Sequence, residues 1–206
     1  MNKVQIGLTA AVLAAFAILG VGIVAFMHGQ TGPLIAEQAR AALGQRLAAV
    51  LPGGYDNDPA GEARMLPADP LLGGKGPSAL YVARRAGRVH GLAFEVVAPN
   101  GYSGAIQLLV GMDREGRLAG VRVLAHKETP GLGDPIEEAR SGWIHGFAGK
   151  TLGDPGPKGW AVKKDGGVFD QFTGATITPR AVVQAVHKTL RYFEQHRAEL
   201  LGEDAP

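Results

Sequence analysis

Two short stretches of this chain carry residue types that could do chemistry. The first is Asp170-Gln171-Phe172-Thr173-Gly174-Ala175-Thr176-Ile177-Thr178, which leads directly into Pro179 and a helical pattern. Three hydroxyls and two tiny residues stand where a strand turns into a helix start. A helix N-terminus offers unpaired N–H donors and the positive end of its dipole, which together favour a phosphate. Gly174 and Ala175 remove side-chain bulk, so a ligand or a modifying enzyme could reach the backbone there. The purely structural alternative is that Thr178 caps the helix, Pro179 is its first residue and the rest is a tight turn. The second stretch is His126-Lys127-Glu128-Thr129-Pro130-Gly131-Leu132-Gly133. Pro130 pushes Thr129 into an extended conformation, and Gly131 and Gly133 let the chain bend sharply. A strand ending there would present a carboxylate, a hydroxyl and several amides on an exposed turn, and taken alone it reads as a β-turn.

Nothing else in the chain competes with these stretches. No nucleophilic triad, Walker loop or G-x-G-x-x-G is present. The six histidines, at 28, 90, 126, 145, 187 and 196, show no H-x-x-x-H spacing, so no metal site is expected and each reads as a surface or satisfied core residue. With no cysteine, disulfides, thiolate-held iron–sulfur clusters and c-type haem attachment are excluded.

Those stretches must be held by the elements around them. Strand patterns start at Leu80 and continue through VHGLAFEVV, AIQLLVGM and LAGVRVLAH, with Asp113-Arg114-Glu115-Gly116 as a hairpin between the last two. Residues 136–147 read as a short helix, and WAVKK and VFDQF as two more short strands. The helix after Thr178-Pro179 is the clearest element, with Val182, Val186, Leu190 and Phe193 on one face and its end before Gly202. The expected fold is α+β, a mainly antiparallel sheet with packed helices. Gly and Pro total 44 of 206 residues, and the 13 aromatics leave a core of mostly Val, Leu, Ile and Ala.

The apolar share of 46% is high for one soluble domain, and the excess lies at the front. Val4–Met27 is a run of 24 uncharged residues. At ~1.5 Å per residue it reaches ~36 Å, enough to cross a hydrocarbon core of ~30 Å. A cleavable signal would be shorter and end in an A-x-A-like site, whereas His28-Gly29-Gln30-Thr31 follows here. A retained anchor is therefore expected. Lys3 precedes the span and the next basic residue is Arg40, which places the N-terminus in the cytoplasm and the rest outside. Residues 33–51 read as an amphipathic stalk helix with Pro33 in its first turn, and 52–77, with 11 Gly or Pro in 26 residues, as a connector. The domains expected are 1–30 (anchor), 31–77 (stalk and connector) and 78–206. A net charge of +2 argues against a nucleic-acid partner.

The N-terminal span, ETPGLG, the Lys163-Lys164-Asp165-Gly166-Gly167 run and D-x-x-T-G-A-T followed by ITPRAVVQAV together resemble the G subunit of the bacterial Rnf (also Rsx) electron-transport complex. More broadly they resemble the FMN-binding domain shared with the C subunit of the sodium-pumping NADH:quinone reductase. The resemblance covers the whole chain and implies an inner-membrane, single-pass protein with a periplasmic FMN-binding domain. Such a subunit carries electrons among the other membrane and peripheral subunits of an ion-translocating NADH/ferredoxin oxidoreductase. It implies FMN attached through its phosphate to a threonine by a flavin transferase that uses FAD. The modified residue is the last Thr of T-G-A-T, Thr176, and Asp170 matches the acidic position that the transferase recognises. Thr173, Gly174, Ala175 and Thr178 surround the attachment point. Glu128, Thr129, Gly131, Leu132 and Gly133 match the loop lying against the flavin, and Gly101-Tyr102-Ser103-Gly104 resembles a further family segment that adds Tyr102. Alternatives are a C-like subunit of the quinone reductase, or an anchored assembly or sensor module without flavin. Position within the stretch agrees on the threonine, since Thr178 is the natural N-cap and Thr173 lies nearer the strand. An electron carrier also explains the absence of an acid–base constellation, because the flavin supplies the chemistry.

Overall fold

The computed structural model describes residues 2–202. The chain divides into two compact units with the boundary between Leu43 and Gly44. The first holds most of α1 (Lys3–Ala48), a 46-residue helix. Its N-terminal part is long and apolar enough to cross a membrane, and none of its most apolar window is buried. The Thr9 hydroxyl donates to the Gln5 carbonyl within the helix (2.9 Å), as an apolar medium requires of a polar group. The separate helix expected to begin at Pro33 is not separate, because Pro33 lies inside α1. Proline there removes one donor, and the Leu, Ala, Glu, Gln and Arg residues that follow are strong helix formers.

The second unit is built on a five-stranded antiparallel meander, β1 (Arg64–Leu66), β2 (Ser78–Arg85), β3 (Arg88–Ala98), β4 (Ile106–Asp113) and β5 (Leu118–Ala125), in chain order across the sheet. Alternation gives each face its own partner. Leu80, Phe94, Val110 and Val121 are aligned across β2–β5. They join Val182, Val186, Leu190 and Phe193 of α2 (Ile177–Gln195) in the main core. A five-residue helix, α3 (Arg197–Leu201), follows.

The opposite face carries the aligned row Ala93, Gly111 and Gly120, with Gly91 nearby on β3. The chain just after α1 crosses these glycines. A Cβ at Gly111 would lie 2.0 Å from the Val50 carbonyl oxygen, one at Gly120 2.8 Å from that of Ala49, and one at Gly91 2.5 Å from Pro52. Leu47, Val50 and Leu51 are buried there. The Gly/Pro-rich stretch 52–77 is folded onto the domain, supplying β1 and the core residues Leu66 and Leu72.

Two local expectations are corrected. Residues 136–147 form no α-helix but part of two 3-10 turns, Asp134–Ile136 and Gly142–Phe147, the second capped by Ser141 Oγ accepting from the Trp143 N–H (3.2 Å). WAVKK and VFDQF do not form strands. They share one isolated parallel bridge, Val162–Phe169, around a 3-10 turn, Lys163–Asp165. Gly166 is left-handed (φ 85°), and a Cβ at Gly167 would lie 1.9 Å from the Ala161 carbonyl oxygen, so the chain doubles back too tightly for a ladder.

Candidate functional site

The meander leaves the exit of β3, the entry of β4 and the exit of β5 at one end of the sheet, and α2 starts beside them. A small cavity of about 140 Å³ lies there. The loop joining β3 to β4 contributes Tyr102, and the turn after β5 contributes Glu128, Thr129, Leu132 and Gly133. The start of α2 and its approach contribute Gly174, Ala175, Thr176, Ile177 and Thr178. Two stretches some forty residues apart in sequence thus face each other across one cavity. Gly174 adopts φ 80°, a left-handed conformation that favours glycine, and lies against Leu132 of the other loop.

The Glu128 carboxylate ties the three segments together. It is 5% exposed. Its Oε1 accepts from the Ser103 N–H at 3.0 Å, and its Oε2 accepts from the Thr178 hydroxyl. A Cβ at Gly133 would lie 2.8 Å from Oε2, and one at Gly101 3.0 Å from Oε1, so both glycines make room for it. The turn itself is closed by Leu132 and Gly133 N–H donating to the Thr129 carbonyl (3.1 and 3.0 Å). Gly131, at φ 79°, donates to Asp134 Oδ1 (2.6 Å) and stands outside the lining.

This arrangement separates the threonines. Thr178 is not the cap expected of it. It is fully buried inside the first turn of α2, and its hydroxyl is spent on Glu128. The N-cap is Thr176, in αR conformation (φ −68°, ψ −28°), with no capping bond from its side chain. The reason is Glu128, which offers the Thr178 hydroxyl a charged acceptor, stronger than a neutral one. Thr176 is half-exposed, lines the cavity and sits beside Ile177 and Thr178, whose N–H groups make no hydrogen bond among the described residues. Thr173 is exposed and outside the lining, as is Asp170. Asp170 is held by Lys163 Nζ (2.5 Å) while its carbonyl accepts from Trp143 Nε1 (2.8 Å). Arg180 grips Asp165 with two bonds (2.6 and 2.9 Å), which holds the Asp165 carboxyl below the usual carboxylate range. The Arg180–Asp165 pair fastens the 163–171 segment to the base of α2, and the Lys163–Asp170 pair closes the segment on itself.

The residues fit an FMN. Tyr102, Leu132 and Ile177 are 70%, 46% and 44% exposed around the cavity, an apolar rim for a flat amphipathic ring. The cavity is smaller than the ~300 Å³ at which ligand-enclosing pockets begin. A ring placed there lies largely on the surface and gains little by burial. Ile177 and Ser103 are site residues that the sequence reading did not select. Ile177 sits inside the quoted stretch but reads as core, and Ser103 acts through its backbone, which residue type does not reveal.

Residues 101–191 match the FMN-binding domain family, and residues 1–50 match the RnfG N-terminal region. The G subunit of the ion-translocating oxidoreductase complex of Pseudomonas aeruginosa (strain UCBPP-PA14) is 57% identical over 196 residues, 95% of this chain and 92% of the relative. This chain belongs to that G-subunit family. The G subunit of Vibrio cholerae (strain ATCC 39541) is 45% identical, covering 95% of this chain and 93% of the relative. That of Cereibacter sphaeroides (strain ATCC 17029) is 48% identical, covering 92% and 85%. Among solved structures, the crystal structure of Shewanella oneidensis NqrC matches at 22% identity and a TM-score of 0.48, over 71% of each chain. All the cavity-lining residues of this G-subunit chain fall within the part that matches the FMN-binding domain family.

Proposed function

We propose that this chain is a membrane-anchored, covalent-FMN electron carrier of an Rnf-type ion-translocating oxidoreductase complex. The observation that carries this reading is the state of Thr176. Thr176 lines the cavity, its side chain makes no capping bond, and it stands beside two N–H groups at the start of α2. Thr178 is engaged by Glu128 and Thr173 stands outside. A phosphoester at Thr176 Oγ1 would place its anionic oxygens at the positive end of the α2 dipole. A flavin transferase would make the ester from FAD, forming the P–O bond to Thr176 and releasing the adenylate half as AMP. The bound flavin supplies one- and two-electron chemistry. The chain's own residues hold its phosphate, flank its ring with Tyr102, Leu132 and Ile177, and set the local charge with Glu128.

In-gel flavin fluorescence after SDS denaturation detects only a covalent flavin, and mass spectrometry of the peptide containing residues 165–180 locates it. The expected adduct is on Thr176. It should disappear in Thr176→Ala and persist in part in Thr176→Ser, which keeps the hydroxyl. An adduct on Thr173 or Thr178, or one surviving Thr176→Ala, overturns the assignment. A chain without in-gel fluorescence when made with its transferase would overturn covalent attachment.

A further inference from the structure

We infer that His126 is a positioning residue of the flavin site, fixing the turn that carries Glu128. The inference rests on the flavin reading above. His126 is two residues before Glu128 and its side chain is 11% exposed. Both ring nitrogens are engaged, by two different parts of the chain. Nδ1 lies 3.0 Å from the Glu128 backbone nitrogen, and Nε2 lies 2.6 Å from Glu137 Oε1. Glu137 directly follows the 3-10 turn Asp134–Ile136 and is fastened by its own N–H to the Asp134 carbonyl (2.8 Å).

The chemistry of the partners dictates the tautomer. A backbone N–H only donates, so Nδ1 must present its lone pair. A carboxylate only accepts, so Nε2 must carry the proton. Glu137 therefore selects the one neutral form of His126 that can take the Glu128 N–H. That N–H belongs to a buried residue, where a lost acceptor leaves a costly orphan. Rotating the ring would rotate the peptide before Glu128 and move its carboxylate. That carboxylate is the shared acceptor of the Ser103 N–H and the Thr178 hydroxyl. The chain of contacts thus runs from Glu137 through His126 to both other segments of the cavity. None of these contacts involves Thr176, so the covalent bond is independent of them.

Amide side chains separate positioning from packing. In His126→Asn, Oδ1 can accept the N–H two residues on, as asparagine does in an Asx turn. In His126→Gln, the amide reaches toward Glu137 but not to the Glu128 N–H. The full-length, flavin-loaded chain in detergent is the material. In-gel fluorescence should persist in Asn, Gln and Ala variants alike. The native flavin spectrum and midpoint potential should shift in His126→Ala and His126→Gln and stay at wild-type values in His126→Asn. Unchanged spectra and potentials in the Ala and Gln variants overturn the inference, as does an Asn variant displaced as far as Ala. Should Ala fail to fold, the Asn–Gln comparison decides alone.

A readout free of flavin distinguishes failure here from failure of the attachment site. With 15N-labelled histidine, neutral His126 should show a protonated Nε2 and a bare Nδ1. A proton on Nδ1 overturns the inference whether or not Thr176 carries FMN.

Discussion

A buried carboxylate is costly unless its hydrogen bonds are made, and Glu128 makes two, to groups from different segments. Glu128→Ala leaves the Ser103 N–H and the Thr178 hydroxyl without that acceptor, and each unsatisfied group costs about 1–3 kcal/mol. Its urea midpoint should fall accordingly, and in-gel flavin fluorescence should remain, since the proposed ester at Thr176 does not involve Glu128. An unshifted midpoint would show the carboxylate to be dispensable. Thr178→Val keeps the volume and removes the donor. Its cost is that of a hydrogen bond to a charged group, about 1.5–3 kcal/mol, where loss of a cap would cost ~1 kcal/mol. His187 gives a pH-dependent case. It stacks parallel to Trp160 at 5.5 Å, and burial, aided by the Arg191 charge, holds its pKa below the ordinary value. A base with a depressed folded pKa binds fewer protons folded than unfolded, so its contribution is intact above the unfolded value of ~6.5 and is lost as pH falls below it. Lowering the pH from neutral should therefore reduce Tm, and His187→Gln should flatten that part of the Tm–pH curve. An equally steep curve in the variant refutes the assignment.

At the level of elements, the glycines of the outer sheet face show what sequence patterning makes legible and what it hides. β2, β3 and β4 follow from alternation, since Leu80, Val82, Leu92, Phe94, Val96, Leu108, Val110 and Met112 fall on one face at a period of two. The Thr-Pro pair marks the start of α2, which begins two residues earlier, at Ile177 with Thr176 as its cap. Gly91, Gly111 and Gly120 are mid-strand, yet their type reads as turn or weak strand, because only the crossing of residues 49–52 explains them. Gly111→Ala should destabilise by about 1–3 kcal/mol through overpacking against the Val50 carbonyl. A neutral result in a denaturant titration would show the crossing to be loosely held. The cavity was legible as two stretches, 126–133 and 170–178, but residue types alone did not join them; only the family resemblance did, because the union depends on Glu128, Ser103 and Thr178 meeting across the end of the sheet. Thr178 was misjudged for the same reason. Local sequence offers it a cap, and a carboxylate fifty residues away offers it a stronger partner. Asn57 is likewise invisible from the sequence. It closes the outer edge of β2 by donating to the Val82 carbonyl (2.9 Å) and accepting from the Arg84 N–H (2.8 Å), which protects an otherwise open edge.

For the whole molecule the consequences concern the anchor and the domain it carries. Lys3 before the apolar run, and no further basic residue until Arg40, place residues 28–206 on the periplasmic side in our proposal. Protease added to spheroplasts should digest the domain, and protection there would reverse the topology. The place at which the anchor can be removed follows from packing. Leu47, Val50 and Leu51 are buried within the second unit, and burying each aliphatic side chain stabilises by about 1.5–3 kcal/mol. Together they amount to a large part of the 5–15 kcal/mol typical of a whole domain. A chain beginning near Gln30 retains all three, so it should be soluble, unfold cooperatively and accept FMN at Thr176. A chain beginning at Gly53 loses them and uncovers Gly91, Gly111 and Gly120, so its unfolding midpoint should drop sharply or folding should fail. Equal stability of the two truncations would show that the end of α1 contributes nothing to the domain. The Gln30 form separates folding from delivery. It has the flavin and the fold but not the span that holds the flavin near its redox partners, so it should not restore electron transfer to a complex lacking this subunit. Full activity from that soluble form would mean that the helix anchors a carrier that needs no anchoring.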